Sequence, residues 1–395
     1  MTRTIAPVGI VVLVLLTGCL AAAPAEYPDD DNQLGYEAGY SATDQLAVTT
    51  SDGLNASERA AVTARAMARL EVLRDLEFHK PVTTRVISRA QYLDNRSGGS
   101  NPTHVAWNGQ VWEALFLVGE DANVSSVLDT ALGARVIGFY VPGSNEVVIV
   151  SDSASPEISR GTLVHELVHA LQDQHFGLDQ RRSTQDGQLA RNGVVEGEAN
   201  RLQGLYERRC GRTWECVRTP GGGGGESSLG RWAENVFSVI FTPYAAGPRF
   251  VDAIAERRGN EGLNDLYTAL PESTEQIIHP QAYPDERPID VEIPDRSNDQ
   301  WHRFDHDPVA DTVGEASIFV TMVANDIGPG VARYGYEHPA SVGWGGDSVV
   351  PYRNGDRFGY VWTTVWDTPN DAEEFLDAHR RILDGENAAE LDGGR

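Results

Sequence analysis

Positive charge is scarce in this chain of 395 residues, and lysine is almost absent from it. Lysine and arginine number 32 against 58 acidic residues, Lys80 is the single lysine, and the formal net charge is -26. Such a surface repels nucleic acid phosphates, which excludes nucleic acid as a partner. Acidity without lysine favours a halophilic, archaeal source, because molar salt shortens the Debye length to about 3 Å and screens carboxylate repulsion. An ordinary acidic exported protein is the alternative.

Long apolar runs are lacking too, apart from one near the N-terminus. Residues 5–16 are apolar, follow Arg3, and are too short to span a bilayer comfortably, as in a secretory signal. Leu16-Thr17-Gly18-Cys19 resembles the lipobox of prokaryotic lipoproteins. We therefore predict a signal peptide at 1–18 and an exported protein, anchored by lipid on Cys19 to the outer face of the cytoplasmic membrane. The alternative is an incidental cysteine in a cleaved signal.

Cysteine is the third scarce residue, with 3 in the chain. Beyond Cys19 only Cys210 and Cys216 remain, and export to an oxidising compartment predicts a disulfide between them. So few cysteines exclude a disulfide scaffold, and a bridged pair leaves no thiol nucleophile.

What the chain does contain is enough apolar sequence for a real core, 41% of all residues. Segment 19–56 is acidic and proline-containing, which predicts a flexible tether. Segment 57–385 has no internal repeat and no linker that would divide it, so we predict one domain there. The last residues, 386–395, are predicted to be a disordered tail.

Residue periodicity provides a coarse map of that domain. Ser57 is the expected cap of the first helix. Apolar spacing predicts helices at 57–78, 156–176, 188–209, 250–270 and 371–383, strands at 82–88 and 358–366, and a hairpin joining 138–141 to 146–150. The five glycines at 221–225 predict a flexible loop, and the proline-rich passage 280–294 predicts extended chain. Together these elements predict an α+β fold.

His165-Glu166-Leu167-Val168-His169 is the most informative motif. On a helix its apolar positions form one stripe, whereas His165, Glu166 and His169 lie on the other side. Two imidazoles one turn apart can bind one Zn²⁺, and Glu166 is then placed as the general base rather than as a ligand. The alternative is a solvated polar face with two surface histidines.

A catalytic zinc site needs a third protein ligand. Glu196 and Glu198 lie on the next predicted helix, about 200° apart, so only one of them can face the metal. Glu198 lies at the edge of the packing stripe and Glu196 well away from it. This favours Glu196 as the ligand and Glu198 as a partly buried, partnered carboxylate.

This arrangement resembles the gluzincin branch of the zincin metallopeptidases. In that branch a sheet whose edge strand holds the peptide substrate precedes the active-site helix, and an acidic residue follows the ligand Glu by four positions. Asn200 stands at that position here, and Asp173 is also found in similar enzymes. The resemblance implies that Asn200 or Asp173 orients the histidines.

Motifs elsewhere extend the resemblance over about 57–385. They look like those of an uncharacterised family of exported HExxH proteins that includes haloarchaeal surface lipoproteins, and this implies a fold and a zinc site but no substrate. The motifs are Gly138-Phe139-Tyr140, Ala170-Leu171-Gln172-Asp173-Gln174, Ser273-Thr274-Glu275-Gln276 with His279-Pro280, Gly343-Trp344-Gly345-Gly346-Asp347, and Trp366-Asp367 with Ala372 and Phe375.

His279 is the candidate for a second electrophile, since gluzincins commonly place a His or Tyr beside the developing oxyanion. Tyr283 is a further candidate, and a histidine that merely caps a helix before Pro280 is the alternative.

The sequence thus predicts a zincin-like α+β domain, with its active-site helix beneath a small mixed sheet, that hydrolyses peptide or protein substrates with Zn²⁺. The rival hypothesis is a non-catalytic binding or assembly lipoprotein of the cell surface that retains the zinc helix as structure.

Overall fold

The fold combines helices with three small sheets and is α+β, as predicted. The structure is a computed structural model that describes residues 33–96, 101–133, 136–153, 155–217, 229–328 and 330–385. The predicted signal peptide, Cys19, the glycine run at 221–225 and the tail at 386–395 lie outside these residues. Within them, no helix has the length and apolar character needed to cross a bilayer.

The first half of the fold surrounds a mixed three-stranded sheet. Strands β3 and β5 pair in parallel and β4 pairs antiparallel with β5, so β4 is an edge strand. One face of this sheet packs on helix α5 in a shared core. The elements are β1 (Tyr36–Glu37), β2 (Tyr40–Ser41), α1 (Ala56–Arg74), β3 (Thr83–Ile87), α2 (Arg89–Arg96), α3 (Pro102–Ala114), α4 (Val124–Gly133), β4 (Gly138–Val141), β5 (Glu146–Val150) and α5 (Arg160–Phe176).

The segment predicted as a tether belongs to the folded domain from residue 33 onward. Hairpin β1-β2 packs on α1, whose buried side chains bind its backbone. The Gly35 amide donates to Glu71 at 2.8 Å, and Arg69 donates to the carbonyl of Ala42 at 2.8 Å. These buried charges need partners, and the segment supplies them. Helix α1 also begins earlier than predicted, because Asn55 and not Ser57 is its N-cap.

The second half is mainly helical and ends in a second sheet. Strands β6, β7 and β8 form an antiparallel sheet in that order. The elements are α6 (Gln185–Arg209), α7 (Arg231–Ile240), α8 (Thr242–Ala245), α9 (Gly247–Leu266), α10 (Thr274–Ile278), β6 (His302–Arg303), α11 (Gly314–Ala324), β7 (Trp344–Asn354), β8 (Arg357–Trp366) and α12 (Pro369–Gly385). The predicted disulfide between Cys210 and Cys216 is present directly after α6.

Helices α6 and α9 touch through their backbones at three glycines. A Cβ on Gly197 would lie 2.5 Å from the carbonyl carbon of Gly247, and one on Gly247 would lie 2.4 Å from the carbonyl oxygen of Gly193. Only glycine leaves room for such an approach. The crossing fixes the position of α6 next to Glu196.

Candidate metal centre

Helix α5 packs in the core with one side and lines a cleft with the other. The Ser159 hydroxyl caps its first turn by accepting from the Thr162 amide at 3.3 Å. One side of the helix is buried in the core; its members are Leu163, Val164, Leu167, Val168 and Leu171. His165, Glu166 and His169 line a cleft instead, as the helical spacing predicts.

The structure brings His165, His169 and Glu196 together. Their ligand atoms all lie within 4.8 Å of one another. The Nε2 atoms of His165 and His169 lie 3.0 Å and 3.4 Å from the same carboxylate oxygen, Oε2 of Glu196. Both rings therefore turn the same nitrogen toward one point. Two imidazole nitrogens and one carboxylate oxygen are a donor set that suits zinc, and the open side toward the cleft leaves room for a fourth ligand.

The three side chains also depend on each other electrostatically. Burial disfavours charge on His169, but the Glu196 carboxylate outweighs it and raises the His169 pKa to about 9. Burial likewise disfavours charge on Glu196, yet the two imidazoles hold its pKa well below the ordinary value. Without a metal the site is an imidazolium–carboxylate pair, so protons compete with a cation for these atoms.

Glu198 points away from this group, as its place at the edge of the packing stripe predicts. Its carboxylate accepts from Arg74 at 2.5 Å and from the Tyr267 hydroxyl at 2.5 Å, and all three side chains are buried. A carboxylate at this depth is stable only with such partners.

Neither Asp173 nor Asn200 orients the histidines, contrary to the prediction. His169 donates from Nδ1 to the amide oxygen of Gln172 at 2.9 Å. Asp173 instead accepts from the Tyr140 hydroxyl at 2.9 Å and from the Leu178 amide at 3.0 Å, at the end of α5. Asn200 makes no side-chain hydrogen bond to the described residues. Adjacent positions on a helix point about 100° apart, so Gln172 faces the site and Asp173 does not.

Glu166 is held by the edge strand of the sheet. Its Oε2 accepts from the Tyr140 backbone amide at 2.8 Å, and the side chain is buried beside the two histidines. Its other carboxylate oxygen is not bonded to any described residue. A carboxylate with one oxygen oriented and one available can accept a proton at a defined position.

Tyr244 is a site residue that sequence reasoning missed. Its ring stacks on His165, with centroids 6.4 Å apart and an interplanar angle of 16°. Although 38% of the residue surface is exposed, desolvation of its hydroxyl, followed by the charges of Glu196 and Glu166 and a hydrogen bond to Glu196, raises its pKa well above the ordinary value. Its hydroxyl therefore stays protonated and can donate.

His279 does not reach the cleft, which corrects its predicted role as electrophile. It is the C-cap residue of the short helix α10, and its Nε2 lies 3.0 Å from Glu315. The capping alternative therefore describes its position. Tyr283 is also elsewhere, since its hydroxyl donates to the carbonyl of Ala269 at 2.6 Å.

The cleft beside His165, His169 and Glu196 has a volume of about 920 Å³. This lies near the upper end of the range for ligand pockets. Aromatic side chains such as Trp107 and Phe139 line it, together with the exposed arginines Arg181 and Arg182. The space is large enough for several residues of an extended peptide.

Comparison with known proteins adds one match. Residues 302–395 match the model of a family described as a domain of unknown function, DUF8575. This part contains β6, α11, β7, β8 and α12 and none of the three clustered donors. Neither a curated protein nor a solved structure matches the chain.

Proposed function

We propose that this protein is a gluzincin-like zinc metallopeptidase with a zincin-like domain. The observation that carries the proposal is the cluster of His165, His169 and Glu196 at the wall of an open cleft, with Glu166 beside it. Three protein donors and an open position are typical of catalytic zinc.

Each neighbouring side chain has a defined task in this proposal. A bound zinc ion would polarise a water molecule and lower its pKa. Glu166 accepts a proton from the attacking water and passes it to the departing amine, while the Tyr140 amide keeps its carboxylate in place. Tyr244 donates from its hydroxyl to the oxygen that becomes negative as the carbonyl is attacked.

Strand β4 suits an extended peptide substrate. It is an edge strand of the described sheet, and it adjoins the active-site helix through Tyr140 and Glu166. An added strand would gain main-chain hydrogen bonds along such an edge. Arg181 and Arg182 at the cleft favour peptides that carry acidic side chains.

The rival hypothesis is a non-catalytic surface lipoprotein with a structural zinc helix. Structural zinc sites are usually closed by four protein ligands. Among the described residues this group has three members and faces a cleft. That difference favours the enzyme.

Replacement of the proposed base tests the proposal directly. Glu166→Gln should keep bound zinc and lose peptide cleavage by about 10² to 10⁴, the usual contribution of general base catalysis. Glu157→Gln, an exposed carboxylate before α5, is the control and should keep full activity. The assay is cleavage of a peptide library in molar salt, with zinc measured on the same samples. Zinc-loaded Glu166→Gln that cleaves like wild type would exclude the mechanism, and zinc-loaded wild type that cleaves nothing would favour the rival.

Export and lipid anchoring complete the proposal. Cys19 and the preceding residues lie outside the described part of the chain, so this step rests on the sequence motif alone. An acyl mass on Cys19 in the native protein would support an enzyme held at the outer face of the membrane of a halophilic archaeon.

A further inference from the structure

A second group of carboxylates lies far along the chain from the proposed zinc site. Glu275 lies on α10, Glu286 follows that helix, and Asp367 lies between β8 and α12. One carboxylate oxygen of each lies within 4.8 Å of the other two.

Glu275 is the member of this group that needs a partner. Its residue surface is 4% exposed, and no described residue donates a hydrogen bond to its carboxylate. Burial, followed by the charges of Glu315, Glu286 and Asp367, raises its pKa to about 9. The ionised form of this carboxyl is therefore costly unless a cation lies beside it.

The other two carboxylates are held in place by their backbones. The Gln276 side chain donates to the carbonyl of Glu286 at 2.6 Å. The Asp367 amide donates to the carbonyl of Gly343 at 2.9 Å. The two side chains are exposed, and they share a hydrogen bond. Solvent therefore reaches a group whose third member is buried and points toward it.

We propose that Glu275, Glu286 and Asp367 form a binding site for a divalent cation, with Ca²⁺ as the preferred ion. All three donors are oxygens, which excludes a preference for zinc over hard cations. Three carboxylates on separate segments can bind in one- or two-oxygen modes, which suits the irregular coordination of Ca²⁺ better than the strict octahedron of Mg²⁺. Water on the exposed side would complete the shell.

A cation here would link three parts of the fold. Glu275 lies on α10, whose Ile277 packs on Gly193 of α6, the helix that carries Glu196. Asp367 joins β8 to α12. Calcium should therefore stabilise the folded domain, and this inference does not depend on the proposed peptidase activity.

Terbium luminescence tests the site, because Tb³⁺ replaces Ca²⁺ and Trp366 is the neighbour of Asp367 in sequence. The zinc-loaded protein is titrated with Tb³⁺ in molar KCl, which suppresses loose binding to the acidic surface. We expect emission sensitised by tryptophan that added Ca²⁺ displaces, with half-saturation by calcium at roughly 0.1 to 1 mM, the range of extracellular modules.

Variants separate this site from general charge effects. Glu275→Gln should bind calcium at least about tenfold more weakly, because affinity follows the charge of the ligands. Calcium should also raise its melting temperature less than that of wild type, because a weaker site gives less stabilisation by binding. Glu373→Gln, an exposed carboxylate on α12, should behave as wild type. Asp367→Asn, at an exposed position, repeats the test if Glu275→Gln does not fold. Unchanged calcium displacement in Glu275→Gln or Asp367→Asn, or the absence of a calcium response in wild type, would overturn the proposal.

Discussion

Gln172 donates from its amide nitrogen to Glu198 at 3.1 Å. The oxygen of the same amide accepts from His169, so one residue links a buried carboxylate to the imidazole that faces Glu196. Arg74 and Tyr267 bind that carboxylate from the other side. This series of hydrogen bonds fixes the ring orientation of His169 and leaves its Nε2 free to face Glu196.

Glu196 and Glu198 should differ sharply when they are replaced. Glu196→Ala removes one of three donors and should abolish most zinc binding. Glu198→Gln keeps the donors and should retain zinc, but it leaves the Arg74 guanidinium without its ionic partner. Breaking a buried pair costs up to about 3 to 5 kcal/mol, so its melting temperature should fall. Zinc content and thermal unfolding measured together decide this, and zinc that stays with Glu196→Ala but leaves with Glu198→Gln would exclude our ligand assignment.

Tyr244→Phe should slow catalysis without loss of metal. The change removes only the hydroxyl, and a single oxyanion donor is typically worth about 10² to 10³ in kcat. KM should change much less than kcat, because the interaction strengthens in the transition state. Tyr283→Phe loses a hydroxyl that lies outside the cleft and is the matched control. Equal kcat values for the two variants would remove Tyr244 from the mechanism.

Gly197→Ala should destabilise the protein strongly. Its Cβ would lie 2.5 Å from backbone atoms of Gly247, so α6 and α9 would have to separate. Overpacking of this kind costs about 1 to 3 kcal/mol or more. Gly204→Ala in the same helix meets only the end of the flexible Arg208 side chain, at 3.2 Å, and should be neutral or stabilising. Denaturant unfolding of both variants measures the difference, and equal stabilities would contradict the backbone contact.

Stability should decrease as pH rises from about 4 to 7. Burial raises the pKa of Asp311 to about 7 and that of Asp347 to about 6, above the value of 3.8 for a free aspartate. In this window the native state binds more protons than the unfolded state, so the free energy of unfolding falls with increasing pH.

Asp311→Asn should reduce this pH dependence. An amide oxygen can still accept from the Gln185 and Thr312 amides, which lie 2.7 and 2.9 Å from the carboxylate, but it carries no charge. Melting temperatures at about pH 5 and pH 8 in equal salt should differ by at least ~2 °C less than in wild type. Asp356→Asn, which is exposed, serves as control. The same slope in wild type and Asp311→Asn would refute the assignment.

The part of the site that depends on helical spacing could be predicted from sequence. His165, Glu166 and His169 share one helix, and the direction of Glu196 follows from the packing stripe of the next. Tyr244 could not be found in this way. It lies on the four-residue helix α8, which tertiary packing brings to His165. His279 was assigned wrongly for the same reason, since its place depends on Glu315 of a distant helix.

In the fold, too, elements with local sequence signals could be predicted and elements that depend on tertiary packing could not. The hairpin of β4 and β5 has the predicted bounds, because its alternation and turn are local signals. Helix α11 and strand β7 were not recognised. Nearly every residue of α11 is buried, and the first nine residues of β7 are buried as well. A helix or strand that is buried on all sides has no polar side. Its sequence therefore lacks the alternation of apolar and polar residues from which such elements are predicted.

The packing of hairpin β1-β2 on α1 limits how far the folded domain can lie from the proposed lipid anchor. Residue 33 follows Cys19 by 14 positions, and a chain of that length spans at most roughly 50 Å even when fully extended. A tether to residue 56 would have reached roughly 130 Å. If Cys19 carries lipid, as we propose, the described domain lies in a thin layer above the membrane. Under the proposed function, its substrates would be membrane-proximal segments of surface proteins, because distant layers of the cell envelope lie beyond that reach.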